Sequence, residues 1–230
     1  MIELHSWPTP NGMKISIFLE EASLAHEVFP VDIGKGDQFK PEFLAISPNN
    51  KIPAIVDRAP AGGGDPLTLF ESGAILLYLA EKTGQFLSTD IRARATTLEW
   101  LFWQVGGLGP MTGQYGHFHV YAPDAIDYAR DRYAKEVNRL YDVMDKRLGN
   151  AEYLAGDYSI ADMACYPWIN AYDKAPVDLT PYPNLVRWYD AIRARPAVKK
   201  AYSERDAIYG QPKEMTDEQR KILFGQDKAR

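Results

Sequence analysis

The sequence predicts an α/β unit followed by an all-helical one. Two observations carry this. Short strand-like apolar runs alternate with stretches of helical spacing up to Thr83-Gly84-Gln85, where the strand signals stop. From about Arg92 onward, apolar residues recur every three or four positions. We take residues 1–86 as the first domain, 92–210 as an all-helical domain and 211–230 as a polar C-terminal tail, extended or frayed.

The elements follow in order. Ile2-Glu3-Leu4-His5 reads as a short strand, and Trp7-Pro8-Thr9-Pro10-Asn11-Gly12 as the turn that ends it. Ile15, Phe18, Leu19 and Ala22 then line a helix. Val28-Phe29-Pro30-Val31 predicts a second strand, placed at a sheet edge because proline has no N–H to give a ladder. Phe39 to Ile46 fits a short, irregular helix. Ile52 to Asp57 predicts a strand beginning at a proline. Residues 58–66 are rich in Gly, Ala and Pro and make a loop, after which Leu67-Thr68-Leu69-Phe70 pairs back as a hairpin. Ser72, Ile75, Leu76 and Leu79 start and line the next helix. The order is βαβαββα. In the second domain, Ala95 to Leu108 and Ile126 to Leu148 carry helical periodicity, and Ser159 to Ala171 and Pro183 to Ala194 read as further helices. Ser159-Ile160-Ala161-Asp162 has the spacing of a capping box, a folding device.

Composition excludes several classes. Of 230 residues, 46% are hydrophobic and 25% charged, enough apolar surface for a core without metal or disulfide staples. The net charge of -5 argues against a nucleic-acid partner, which asks for a basic face. No apolar run approaches the roughly 20 residues of a membrane span, and the start Met1-Ile2-Glu3-Leu4 lacks a secretory leader's pattern. A single cysteine, Cys165, forbids an internal disulfide and any CxxC motif. These points favour a soluble protein of a reducing cytoplasm. His5, His26, His117 and His119 form no triad, and the last two lack metal-binding spacing. No metal is expected, and the histidines are expected in loop or surface positions. Trp100 and Trp103, at helical spacing, are expected in the core.

Three segments could carry chemistry. Thr9 is a suitable helix cap and Pro10 fits the first helical position. A helix start offers free N–H groups and partial positive charge to an anion such as a thiolate or phosphate, although an ordinary cap reads the same. In Asn49-Asn50-Lys51-Ile52-Pro53, a cis proline would turn the Ile52 backbone outward to pair with an extended peptide. A proline at a strand edge is the plainer reading. In Glu71-Ser72-Gly73, Ser72 at a helix start could hold a carboxylate and Glu71 an ammonium group, the two ends of an α-amino acid. Alone this too is a cap. The three gain meaning from their order and spacing.

At this point the sequence resembles the cytosolic glutathione transferase superfamily. The resemblance runs from Ile2 to about Ala201 on Asn50-Lys51-Ile52-Pro53-Ala54-Ile55, on Phe70-Glu71-Ser72-Gly73-Ala74-Ile75-Leu76-Leu77-Tyr78-Leu79 and on the Ser159 to Asp162 capping box. Pro8 to Gly12, Asp32 to Phe39 and Trp103 to Met111 are similar to the nu class. The resemblance implies a thioredoxin-like domain, a helical-bundle domain and a homodimer. It implies that Pro53 is cis and that Ile52 pairs with the cysteinyl part of glutathione. Glu71 and Ser72 would hold the γ-glutamyl end, and Gln38 and Lys51 would sit around the other end. Thr9 and Asn11 would face the sulfur, and Arg132 would reach the site from the helical domain. The better-known classes place a Tyr, Ser or Cys at the sulfur. Here no Tyr or Cys stands between Trp7 and Gly12, which weakens the case for electrophile conjugation.

Cys165 follows the capping box inside an apolar helix, where a lone cysteine is ordinarily a buried hydrophobe. Disulfide exchange needs an attacking thiolate, which must then come from bound glutathione. The expected function is a glutathione-dependent disulfide-bond oxidoreductase in which two glutathiones supply the two sulfurs. Glutathione is the co-substrate, and a disulfide or an electrophilic small molecule is the partner. Two other readings share the fold: a conventional transferase or hydroperoxide peroxidase, and a non-catalytic binding protein.

Overall fold

In the computed structural model, which describes residues 1–210 and 215–225, strand β1 (Ile2–Ser6) is an inner strand of a mixed sheet. It pairs in parallel with β2 (His26–Pro30) and antiparallel with β3 (Ala54–Asp57), which pairs antiparallel with β4 (Leu67–Phe70). The strand order is β2-β1-β3-β4. The strand carrying Pro30 is an edge, as expected, and every residue of the inner strand β3 is buried.

Helix α1 (Pro10–Glu21) buries Ile15, Ile17, Phe18 and Leu19, and α3 (Ser72–Thr83) buries Ile75, Leu76 and Leu79, all at 0% exposure. Each such side chain contributes roughly 1.5–3 kcal/mol on leaving water. At the end of β3, buried Asp57 accepts from Tyr78 Oη at 2.6 Å, from Lys82 Nζ and from the Ala59 N–H, which ties α3 to the sheet. The irregular helix expected over 39–46 is a 3₁₀ turn, Asp37–Phe39, followed by the single-turn α2 (Pro41–Leu44). Pro41, without an N–H, is the break between them.

The other unit contains α4 (Ile91–Trp103), α5 (Gly109–Gly116), α6 (Asp127–Leu148), α7 (Ile160–Cys165) and α8 (Pro183–Ala194). One π-helical turn, Gln104–Leu108, joins α4 to α5, and a second, His117–Tyr121, extends α5. The sequence does not announce α5, because five glycines between 106 and 116 weaken any helical reading. Packing makes one of them necessary: a Cβ on Gly116 would lie 2.1 Å from the Tyr172 ring. The helix expected over 159–171 ends at Cys165 and gives way to a 3₁₀ turn, Tyr166–Trp168, around Pro167. His117 and His119 are in the second π turn rather than a loop, half-buried, with His119 stacked on Tyr115 at 4.1 Å. Trp100 and Trp103 are half-buried and meet edge to face at 5.2 Å.

The capping box is present. The Ser159 hydroxyl caps α7, and fully buried Asp162 receives four hydrogen bonds. Leu154 N–H and Trp188 Nε1–H donate to Oδ1 at 3.0 and 2.8 Å. Ser159 N–H and Oγ donate to Oδ2 at 3.0 and 3.2 Å. Burial outweighs those donors and pushes the carboxyl up to about 6.

The domain limits depart from the expected 1–86, 92–210 and 211–230. One compact unit is Met1–Thr83 together with the described residues from Ala197 onward, and the other is Gly84–Pro196. Helix α9 (Pro196–Tyr209) therefore returns almost entirely to the first unit. Lys200 Nζ lies 2.7 Å from Glu20 Oε2, Tyr209 Oη donates to Ser6 O at 3.3 Å, and the Tyr209 ring packs edge-on against Trp7 at 5.2 Å. Nor are residues 216–225 extended. Thr216 and Gln219 form a second capping box, opening α10 (Asp217–Arg220) and a π turn, Lys221–Gly225. The remainder of the expected tail, 211–214 and 226–230, lies outside the described residues. Among the described residues no helix is long and apolar enough to cross a membrane.

Candidate functional site

The strand register gathers the three candidate segments. His5, near the end of β1, pairs with Ala54 at the start of β3, and Ala54 pairs with Phe70 at the end of β4. The residues just beyond these positions are Thr9, Pro53 and Glu71. They occupy neighbouring places along one edge of the sheet, although 62 positions separate the first from the last.

Each segment has a local cause. Thr9 caps α1 by accepting from the Gly12 N–H at 3.2 Å, with Pro10 in the first turn. Asn11 follows, half-buried. Gly12 is required here: a Cβ would meet Ser6 Oγ and the Trp7 carbonyl oxygen, each at 2.4 Å. The carbonyl cannot retreat without moving the turn. Gly12→Ala is expected to lower stability by about 1–3 kcal/mol, as thermal melts would show.

The Ile52–Pro53 bond is cis. Ser47, fully buried, donates its hydroxyl to Lys51 O at 2.8 Å and shapes the approach to it. The Ile52 side chain packs against Val31, Phe43 and Ala54. Its backbone N–H and C=O make no hydrogen bond among the described residues, an arrangement suited to an added peptide strand. Lys51 beside it is exposed. Glu71 sits in the left-handed region at φ 71°, an uncommon conformation for a non-glycine residue, and its side chain is exposed. Ser72, buried, opens α3.

Gln38 is buried. Its Nε2 donates to Ile33 O at 3.1 Å, while Oε1 has no partner among the described residues. Such an acceptor is costly without an N–H donor, which a peptide ligand would bring. Arg132 lies exposed on α6, in the unit formed by Gly84–Pro196.

Sequence reasoning missed Lys14. It is only 2% exposed, and its Nζ donates to Ser72 Oγ at 3.2 Å. A buried ammonium beneath the start of α3 adds positive potential where the carboxylate would sit. Its signal was a lysine among Met13, Ile15, Ile17 and Phe18, where a solvated face was not available. Tyr209 was also missed, since 183–210 was read wholly with the helical domain.

Residues 1–81 match the glutathione S-transferase N-terminal domain and residues 109–196 the glutathione S-transferase C-terminal domain. The chain belongs to the glutathione S-transferase family. It is 62% identical over 202 residues to the disulfide-bond oxidoreductase YfcG of Escherichia coli, covering 87% of this chain and 94% of that protein. It is 43% identical to the disulfide-bond oxidoreductase YghU of the same organism, covering 86% and 73%. A glutathione transferase crystal structure from Burkholderia graminis, with two glutathione molecules bound per subunit, superposes with a TM-score of 0.84 at 44% identity, covering 91% and 89%. One from Pseudomonas putida, with one glutathione disulfide per subunit, gives 0.83 at 46% identity, covering 87% and 90%.

Proposed function

We propose that the protein is a glutathione-dependent disulfide-bond oxidoreductase of the nu class that uses glutathione thiols and no cysteine of its own. The observation that carries this is the sheet edge where Thr9, the unpaired Ile52 backbone and Glu71-Ser72 converge, while Cys165 is fully buried in α7 of the other unit. Glutathione fits that edge. Its cysteinyl backbone pairs with Ile52, its γ-glutamyl carboxylate meets Ser72 and the start of α3, and its ammonium meets Glu71. Gln38 and Lys51 take the glycine end. Thr9, Asn11 and the start of α1 stabilise the thiolate, and Arg132 adds positive charge. YfcG and YghU are named disulfide-bond oxidoreductases, and the two solved relatives hold two glutathiones or one glutathione disulfide.

The exchange balances with two glutathiones. The first thiolate attacks one sulfur of R–S–S–R′, forming GS–SR and releasing R′S⁻. The second attacks the glutathione sulfur of GS–SR, forming GS–SG and releasing RS⁻. The two leaving thiolates take up the two protons the glutathiones lost. We further place the protein as a homodimer in a reducing cytoplasm; exposed Ile91 and Phe102 on α4 support an association surface, and sedimentation would test it.

The decisive assay is glutathione-dependent reduction of a small dithio-diol disulfide by wild type, Cys165→Ser and Cys165→Ala. Equal rates are expected. Loss of turnover in both folded variants would return the chemistry to the protein thiol. Rates with an aryl halide and a hydroperoxide, measured alongside, should be lower.

A further inference from the structure

We infer that Glu20, His26 and Glu204 form a binding site for a borderline divalent cation such as Zn²⁺, at the end of the sheet away from the glutathione edge. The register fixes the location. His26 begins β2 and pairs with Ile2, at the opposite end of β1 from Ser6. Helix α1 runs back along the sheet and delivers Glu20 in its last turn. A tight reversal then brings His26 beside it: Ser23 adopts φ 51°, and the Leu24 N–H donates to Leu19 O at 2.9 Å. Helix α9 lies across this corner and supplies Lys200 and Glu204, one turn apart on one face.

The donor atoms are already gathered. One oxygen from each carboxylate and one imidazole nitrogen lie within 4.8 Å of one another, and Glu20 Oε1 is 3.8 Å from His26 Nε2. Ligands at zinc bond lengths of about 2.0–2.1 Å in a tetrahedron stand roughly 3.3–3.5 Å apart, so small side-chain rotations close the set. The imidazole is prepared for ligation. Its Nδ1 lies 2.9 Å from the Leu24 carbonyl oxygen, which can only accept, so the neutral ring keeps its proton on Nδ1 and its lone pair on Nε2. A backbone carbonyl holding the far nitrogen in this way is the usual support of a metal-bound histidine. The three groups line a cleft of about 570 Å³ that admits an ion and leaves room for water at the remaining coordination position. One imidazole and two carboxylates suit Zn²⁺ or Co²⁺ rather than a soft ion such as Cu(I).

In the structure, Lys200 occupies the place of the positive charge. Its Nζ lies 2.7 Å from Glu20 Oε2 and 3.5 Å from Glu204 Oε1. The Glu20 carboxylate is 6% exposed, whereas the Lys200 side chain is 61% exposed. The ammonium can therefore swing into water while the buried carboxylate stays for the ion. The cation and Lys200 compete for the same two carboxylates, which gives the site a signature that an ordinary ion pair lacks.

The test is titration of chelator-stripped, tag-free full-length protein with Co²⁺ and with Zn²⁺, without glutathione, followed by visible absorption and calorimetry. Wild type is expected to take up one ion per chain. His26→Gln and Glu204→Gln should abolish that uptake, and Lys200→Ala should tighten it roughly tenfold, about the worth of the charge-assisted hydrogen bond that no longer has to break. Glu204 is half-exposed, so its variant keeps the fold, and disulfide reduction by it should be unchanged. Absence of stoichiometric uptake, uptake that survives both ligand variants, or weaker uptake in Lys200→Ala would overturn the site.

Discussion

Thr9→Ala is expected to lower kcat/KM for glutathione-dependent disulfide reduction by ~10–100-fold, and Thr9→Ser to retain most of it. The hydroxyl oxygen already accepts from the Gly12 N–H. That bond fixes the oxygen and leaves its own hydrogen to donate to the sulfur. A hydrogen bond to a charged group is worth roughly 1.5–3 kcal/mol, which sets the range. Losing the cap also costs about 1 kcal/mol of stability, and a thermal melt separates this from the catalytic loss. The thiol pKa of bound glutathione, followed by thiolate absorbance, should rise in the alanine variant. An alanine variant with unchanged thiol pKa and rate would remove Thr9 from the chemistry and leave it as a cap.

Asp162→Asn is expected to destabilise the protein by about 1–3 kcal/mol, the cost of leaving a buried N–H donor without its acceptor. The carboxylate serves two donors on each oxygen. An amide would turn an NH₂ toward the Ser159 N–H. The pH dependence has a definite sign. Burial raises the folded-state pKa from 3.8 to about 6. Between those values the folded chain keeps a proton that the unfolded chain has released, so stability from this group is full below about pH 4. It falls as pH rises to about 6 and stays low above. Urea melts at pH 4 and pH 7 should show the wild type losing part of its lead over Asp162→Asn, by up to about 3 kcal/mol. A constant lead would mean that the carboxyl titrates alike in both states.

Much of this was legible in the sequence because its signals are local. Thr9-Pro10, Ser159 to Asp162 and the 58–66 loop act within a few residues, and all are found where their chemistry placed them. The backbone segments that bring Thr9, Pro53 and Glu71 together were equally readable, since Pro53 and Ser72 mark element starts. What escaped were contacts that need the fold. Lys14 meets Ser72 across 58 positions, and Tyr209 meets Ser6 across 203. Neither pairing has a spacing to read. Helix α5 was hidden for another reason: glycine speaks against helix by propensity, while here Gly116 is required because Tyr172 packs against it. Helix α9 was misassigned because periodicity shows that a segment is helical and not which neighbour it packs on.

The return of α9 to the first unit has a consequence for how the chain is made. Protein synthesis proceeds from the N-terminus, and domains generally fold as they emerge. The sheet that gathers Thr9, Pro53 and Glu71 is built early, yet the partners of Ser6, Trp7 and Glu20 leave the ribosome about two hundred residues later. During that interval the nascent sheet waits with one flank uncovered, and the whole Gly84–Pro196 segment is completed before it closes. A chain halted before residue 197 should thus be the form that chaperones hold and proteases find first.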